Sequence, residues 1–394
     1  YLTDKYGRKG PLSLVVMILY ISAMLSAVVT NYFQLLLVRS AYALLVGLQF
    51  PMCFTYLAEI TPKEVRGKYL VLAGGFFTVG ELISCIAAFF TLDRIDSGNW
   101  RLLLVIIAQP ALLCCYGINK YLDESPRYEV NVSKRIANAI NILETMAKVN
   151  EVNVEITDQE KENFTLWAFS NKLKKKISQA GDVRALLEPS IKSMTLHLWA
   201  IWVILTLVYY GMIYILPLTL SELHIQNNEE DAGLWDIAVN VLGEFPSMVV
   251  GYLIVEREIF GRRNSIIYGF ILGAVACFLA NTTGPFVFWI ALARAITNGV
   301  FIIVSPYTTE LYPTQVRATG LGIASSFSRI GGMFMPWITL GLFNQFGPKA
   351  PFTGFIFFSL IGAYCCYAIK RDTTNQPLDY EGGQDGVEMT VYLK

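Results

Sequence analysis

Apolar runs of about twenty residues, separated by short polar connections, fill most of this chain. A helix needs about 20 mainly apolar residues to cross a bilayer. Ten stretches reach roughly that length: 11–30, 33–57, 69–91, 101–120, 194–217, 234–255, 265–281, 284–307, 318–343 and 351–370. They predict an all-α protein whose helices cross a membrane. Two polar segments break the series: 121–192, expected to form a helical linker, and a tail over 372–394, expected to lack order. In the linker, Ser133 is placed to cap a helix whose Ile136, Ile140, Leu143 and Met146 form one apolar stripe.

The connections repeat. Glu59-Ile60-Thr61-Pro62-Lys63-Glu64-Val65-Arg66 is matched by Glu310-Leu311-Tyr312-Pro313-Thr314-Gln315-Val316-Arg317, with Glu, Pro, Val and Arg at identical spacing. Asp4-Lys5-Tyr6-Gly7-Arg8-Lys9 is likewise matched by Glu258-Ile259-Phe260-Gly261-Arg262-Arg263. Such repetition implies two similar halves in tandem. They are expected at 1–120 and 193–371, joined by the linker. Two apolar runs precede the second Gly-Arg element and none precedes the first. By the repeat, two further helices are expected upstream, making six and six.

Composition agrees with a lipid solvent. The 394 residues are 54% hydrophobic and only 16% charged, against about 25% charged in soluble proteins. A formal net charge of zero argues against a nucleic-acid partner. All seven cysteines lie in apolar runs without metal-ligand spacing, and the two histidines are isolated. No enzyme chemistry, metal or cofactor is implied. Lys and Arg are asymmetric: 25 of the 31 lie on the connections that carry the repeats, the linker and the tail. By the positive-inside tendency those segments are expected to face the cytoplasm.

Ionisable groups inside spans are costly and mark function by default. Glu81, Glu244 and Arg329 fall near the middle of their runs, whereas Arg39 and Arg294 occupy matching positions of the two halves and are read as structural. Tyr209 and Tyr210 are deep enough to offer phenols to a cavity. Asp4, Gly7, Arg8, Arg66, Glu258, Arg262, Glu310 and Arg317 form a second candidate set. Their charges can pair in one state and part in another, biasing a two-state equilibrium.

The Asp4…Lys9 element resembles the loop signature of the major facilitator superfamily. Glu59…Arg66, Glu124-Ser125-Pro126-Arg127-Tyr128 and Glu310…Gly320 resemble the sugar porter and organic ion transporter branch. Tyr209-Tyr210-Gly211, Glu244-Phe245-Pro246 and Ser328-Arg329-Ile330-Gly331 resemble synaptic vesicle two-related proteins. The resemblance implies two six-helix bundles, a central cavity and alternating access, with Asp4, Gly7, Arg8 and Arg66 in the gate. Glu258 departs from the usual Asp of the signature, and 194–217 lacks the Gln-rich sequence of sugar porters. A guanidinium is a natural bidentate partner for a carboxylate, so Arg329 points to an organic anion or zwitterion. The expected protein is a monomeric secondary transporter or facilitator, with a proton or sodium ion as coupling partner. It is expected in a plasma or vesicle membrane. A sugar or polyol carrier, or a non-transporting receptor or vesicle protein, are the alternatives.

Overall fold

A computed structural model describes residues 2–62, 64–94, 97–133, 135–151, 183–227, 241–257, 259–283, 286–313 and 316–374, with Gln159 and Gln376. After a short helix α1 (Leu2–Tyr6), the first repeat forms α2 (Lys9–Val28), α3 (Tyr32–Ile60), α4 (Arg66–Thr91) and α5 (Trp100–Tyr121). The connection to the second repeat holds α6 (Pro126–Tyr128), a π turn and α7 (Ile136–Val149). The second repeat forms α8 (Lys192–Asn227), α9 (Phe245–Ile254), α10 (Gly261–Thr282), α11 (Phe286–Leu311), α12 (Arg317–Phe346) and α13 (Ala350–Ala368). One small hairpin, Leu92–Arg94 with Ser97–Gly98, interrupts an otherwise helical fold among the described residues.

Eight of these helices are long and apolar enough to cross a membrane among the described residues. Two of the ten expected runs stand apart from them. The run at 318–343 is a 30-residue helix, α12, whose Arg317, Arg329 and serines dilute its apolar content. The run at 234–255 is described only in part, ending in the ten residues of α9.

Lipid explains what the surface shows. On α2, Leu12, Val15, Val16 and Leu19 face the interior, whereas Leu14, Ile18, Ile21 and Leu25 are exposed. An outward apolar face on a helix already packed inside suits a hydrocarbon solvent, and helices satisfy their own backbone groups there. The protein is therefore an integral, multi-pass membrane protein. Side-chain caps mark the starts at the end away from the repeated loops: Asn31 accepts from the Gln34 amide at 2.9 Å, and Asn99 from the Leu102 amide at 3.1 Å. In the linker the expected Ser133 cap is corrected. Ser133 belongs to the π turn Glu129–Ser133, and α7 begins at Ile136 without a side-chain cap. The expected Lys172–Lys176 surface stretch lies outside the described residues, as does most of the tail.

Within the first repeat α2 packs on α3 and α5; within the second α8 packs on α12 and α13, and α10 on α11 and α13. Contacts between the repeats run through α3–α12, α4–α9 and α4–α11. The α8–α12 crossing is tight: a Cβ on Gly331 would collide with the backbone carbonyl of Val203. Gly331→Val should therefore cost roughly 1–3 kcal/mol of overpacking or more and lower the melting temperature of the detergent-solubilised protein. Gly341→Ala, on the same helix with open space at its Cβ, should leave it unchanged or raise it slightly.

Candidate functional site

Two polar assemblies stand out, one at the end of the bundle that carries the repeated loops and one among the helices. The first is built on glycines. Gly7 and Gly261 adopt positive φ, +101° and +54°, a backbone region open to glycine and costly for other residues. A Cβ at Gly7 would stand 2.5 Å from Glu124 Oε2, and one at Gly261 2.5 Å from Asp372 Oδ2. The room lets an acidic segment reach each helix start. Glu124 accepts the Arg8 amide at 2.7 Å and the Lys9 amide at 3.3 Å. In the second repeat the Thr374 hydroxyl accepts the Arg262 amide at 3.0 Å and itself donates to Asp372 at 2.8 Å. A helix N-terminus favours such groups because its amides are unpaired and its dipole is positive.

Above these turns four arginines, Arg8, Arg66, Arg262 and Arg317, are at most 1% exposed. Two glutamates receive them in matching fashion. Glu59 binds Arg8 of its own repeat through Nη2 at 2.8 Å and Nε at 3.1 Å, and Arg317 of the other repeat at 3.5 Å. Glu310 binds Arg262 of its own repeat at 2.6 Å and Arg66 of the other at 3.8 Å. Each glutamate also accepts a hydroxyl: Ser125 to Glu59 at 2.5 Å, Thr373 to Glu310 at 2.6 Å. Tyr128 stacks on Arg8, its ring centroid 4.9 Å away, and donates to the Lys5 carbonyl at 2.8 Å. Burial pushes its phenol pKa up, which keeps the donor proton in place.

The second assembly joins α4, α8, α9 and α11. Glu244, fully buried just before α9, takes Arg294 Nε at 2.6 Å and the Tyr209 hydroxyl at 3.0 Å on both oxygens. Glu81 lies beside this pair, its Oε2 buried without a hydrogen-bond partner. Between α8 and α12 a cavity of about 420 Å³ is lined by Thr206, Tyr210, Tyr214 and Arg329, with Ile213, Gly332 and Met335. That volume lies in the range of small-molecule pockets, commonly about 300–1,000 Å³. Tyr210 connects the two places, beside Arg329 and 5.3 Å centroid to centroid from Tyr209.

The expected residues thus divide. Arg329 and Tyr210 line the cavity together, while Tyr209 and Glu244 are bound to each other outside its lining, with Glu81 beside them. Arg8 and Arg317 meet on Glu59, and Arg66 and Arg262 meet on Glu310. The Asp4 side chain and Glu258 lie outside the described residues; Glu256, two positions earlier, pairs with Arg262 at 3.4 Å and accepts the Lys68 amide at 3.3 Å. Glu59 was absent from the expected set, although the repeat that placed Glu310 marks it directly. Arg39 and Arg294 part company: Arg294 holds Glu244, and Arg39 is half-buried beside Tyr42.

Comparison with known proteins agrees with these motifs. The family described as sugar (and other) transporter matches residues 1–379. Organic cation/carnitine transporter 7 of Arabidopsis thaliana is 27% identical, covering 95% of this chain and 80% of that protein. The synaptic vesicle 2-related protein of Xenopus laevis is 27% identical over 85% of this chain, which spans 61% of that relative's length. Among solved structures, the major facilitator superfamily proton:xylose symporter XylE superposes with a TM-score of 0.71 at 17% identity, covering 96% of this chain and 83% of the other.

The ion-pair network makes a stability prediction. Glu59→Gln removes the shared counter-charge of two buried arginines, and uncompensated buried charges cost about 3–5 kcal/mol. The variant should melt several degrees below wild type in detergent, whereas Glu151→Gln at an exposed turn should not. Equal melting temperatures would show that Glu59 carries no such load.

Proposed function

This chain belongs to the sugar (and other) transporter family of the major facilitator superfamily, and we propose that it moves a small organic anion or zwitterion across a membrane by alternating access. The observation that carries the substrate class is Arg329 beside Tyr210 on the α8–α12 cavity. A guanidinium offers two parallel N–H donors to a carboxylate, and a phenol beside it adds a directional donor or acceptor. The relative named for organic cations and carnitine supports a solute with a cationic part. A zwitterion meets both that name and the guanidinium. A sugar finds less here, because the lining includes no Asn or Gln among the described residues.

In this reading the loop network is the gate. Its pairs within each repeat are short, 2.8 Å for Arg8–Glu59 and 2.6 Å for Arg262–Glu310. The pairs between repeats are longer, 3.5 Å for Arg317–Glu59 and 3.8 Å for Arg66–Glu310. Separation of the two repeats would break the longer pairs and keep the shorter ones. Each half would then move as a body with its charges still compensated. The asymmetry of Lys and Arg supports a cytoplasmic place for this end, with the linker and tail.

The test is uptake by the protein reconstituted in liposomes, with a panel of organic anions, zwitterions, cations and sugars. An anion or zwitterion should enter, and Arg329→Ala should reduce its uptake roughly tenfold or more, the size of a lost charge-assisted hydrogen bond. Arg329→Lys should keep part of it, and Lys148→Ala, exposed on α7, all of it. Sugar uptake indifferent to Arg329 would reverse the substrate assignment. Folded protein that carries nothing in the panel would favour a non-transporting receptor role.

A further inference from the structure

The geometry around Glu81 goes beyond solute binding. On α4, Thr78 accepts a hydrogen bond from Asn298 of α11 at 3.2 Å. The two helices run in opposite directions, so the residues one turn further from the loop end also face each other: Glu81 on α4 and Arg294 on α11. Arg294 is already held by Glu244 at 2.6 Å, and Glu244 is further engaged by Tyr209. Two carboxylates therefore lie in the field of one guanidinium, and Glu244 alone pairs with it directly. The outer one, Glu81, has an oxygen without solvent exposure and without a donor among the described residues.

The charged and titratable groups facing Glu81 are few. Glu244 comes from α9, Arg294 from α11, Tyr209 and Tyr210 from α8, and Cys85 from its own helix. The neighbours α3 and α5 add no charged group to it among the described residues, and Arg329 acts on Tyr210 rather than on Glu81. The cluster of Glu81, Glu244 and Arg294 thus carries one negative charge in excess when both acids are ionised. A buried, undonated carboxylate oxygen is costly, and a second carboxylate adds repulsion. One proton on Glu81 relieves both. Sodium is a poorer fit, since hard cations of this kind gather several oxygens around them and Glu244 has committed both of its own.

Glu81 also stands where the two repeats meet, with Gly75 of its helix pressed on Met248 of α9 and Gly74 on Ile302 of α11. Movement of one repeat against the other must change the distance between Glu81 and Arg294. We propose that Glu81 is the proton-binding carboxyl of this protein, loaded from one side and emptied to the other as the repeats move, so that solute and proton travel together. One proton is taken up by one carboxylate and released again in each cycle. The Arg294–Glu244–Tyr209 group is the fixed element against which it is read. This inference rests on the transport reading for its coupling, and on geometry alone for its proton.

Two measurements separate those parts. The first uses radiolabelled carnitine and nicotinate as probes in liposomes containing the full chain. A one-unit inward proton gradient supports up to about tenfold accumulation per coupled proton. Wild type should show that accumulation with at least one probe. Glu81→Gln should lose it while keeping counterflow exchange of the same probe, a split that a merely structural residue would not produce. Gradient-driven accumulation by Glu81→Gln equal to wild type, or accumulation driven by sodium and not by protons, would overturn the proposal. The second needs no solute. Infrared spectra of the protein in lipid at neutral pH should show the carbonyl band of a protonated carboxyl in wild type, absent in Glu81→Gln. No such band in wild type sinks the proton site even where transport is seen. Its presence upholds the site even where neither probe is carried.

Discussion

The arrangement at the loop end depends on a mutual misplacement of charge. Arg66 and Arg317 begin α4 and α12, and Arg8 and Arg262 stand at the starts of α2 and α10. A helix N-terminus is positive and repels them. Glu59 and Glu310 sit at the ends of α3 and α11, where the dipole repels an acid. None of these six groups is stabilised by its own helix. Each is accommodated by bringing the start of one helix to the end of another, so the ion pairs fix how neighbouring helices meet. Buried in this way, the charges are favourable only as a set, since removing one leaves the others desolvated.

The same set discriminates between bonds that hold and bonds that yield. Within a repeat the pairs are short, backed by a hydroxyl from Ser125 or Thr373 and by a cap on the helix start, the Glu124 carboxylate in one and the Thr374 hydroxyl in the other. Between repeats the pairs reach 3.5 and 3.8 Å; Arg317 shares Glu59 Oε1 with Arg8, and Arg66 takes the Glu310 oxygen that Arg262 leaves. In the proposed cycle, opening this end does not strand a carboxylate, because each keeps its own-repeat arginine. That difference in partner quality is what a two-state element requires: a rigid part, and a contact weak enough to exchange.

Much of the fold and half of this site were legible in the sequence. Run length and composition predicted the spanning helices, because lipid demands uninterrupted apolar segments. Spacing predicted the loop residues, because a repeated motif carries its geometry with it. Spacing did not assign partners. Glu59 with Arg317, and Glu310 with Arg66, are pairs made by helix packing across two repeats some 250 positions apart, a relation invisible to any local window. Glu256 at the second Gly-Arg turn is a further case: its spacing to Arg262 differs from that of Asp4 to Arg8. Arg294 shows the opposite limit. Its match to Arg39 places the two at equivalent positions, yet their partners differ: α9 supplies Glu244 to Arg294, while Arg39 stands beside Tyr42.

That broken symmetry has a functional consequence in the proposed mechanism. At the loop end the glutamate–arginine pairs of Glu59 and Glu310 mirror each other, as suits a gate that must close equally on both halves. Among the helices they do not. Arg294, Glu244, Tyr209, Tyr210 and Arg329 all come from the second repeat, and Glu81 alone comes from the first. A site held almost wholly by one half keeps its solute contacts through the movement, while the single group on the other half experiences the change. A carboxyl so placed senses which way the repeats have rocked, and its proton affinity follows. In the proposed cycle matching elements thus serve the motion, and unmatched ones serve what the motion carries.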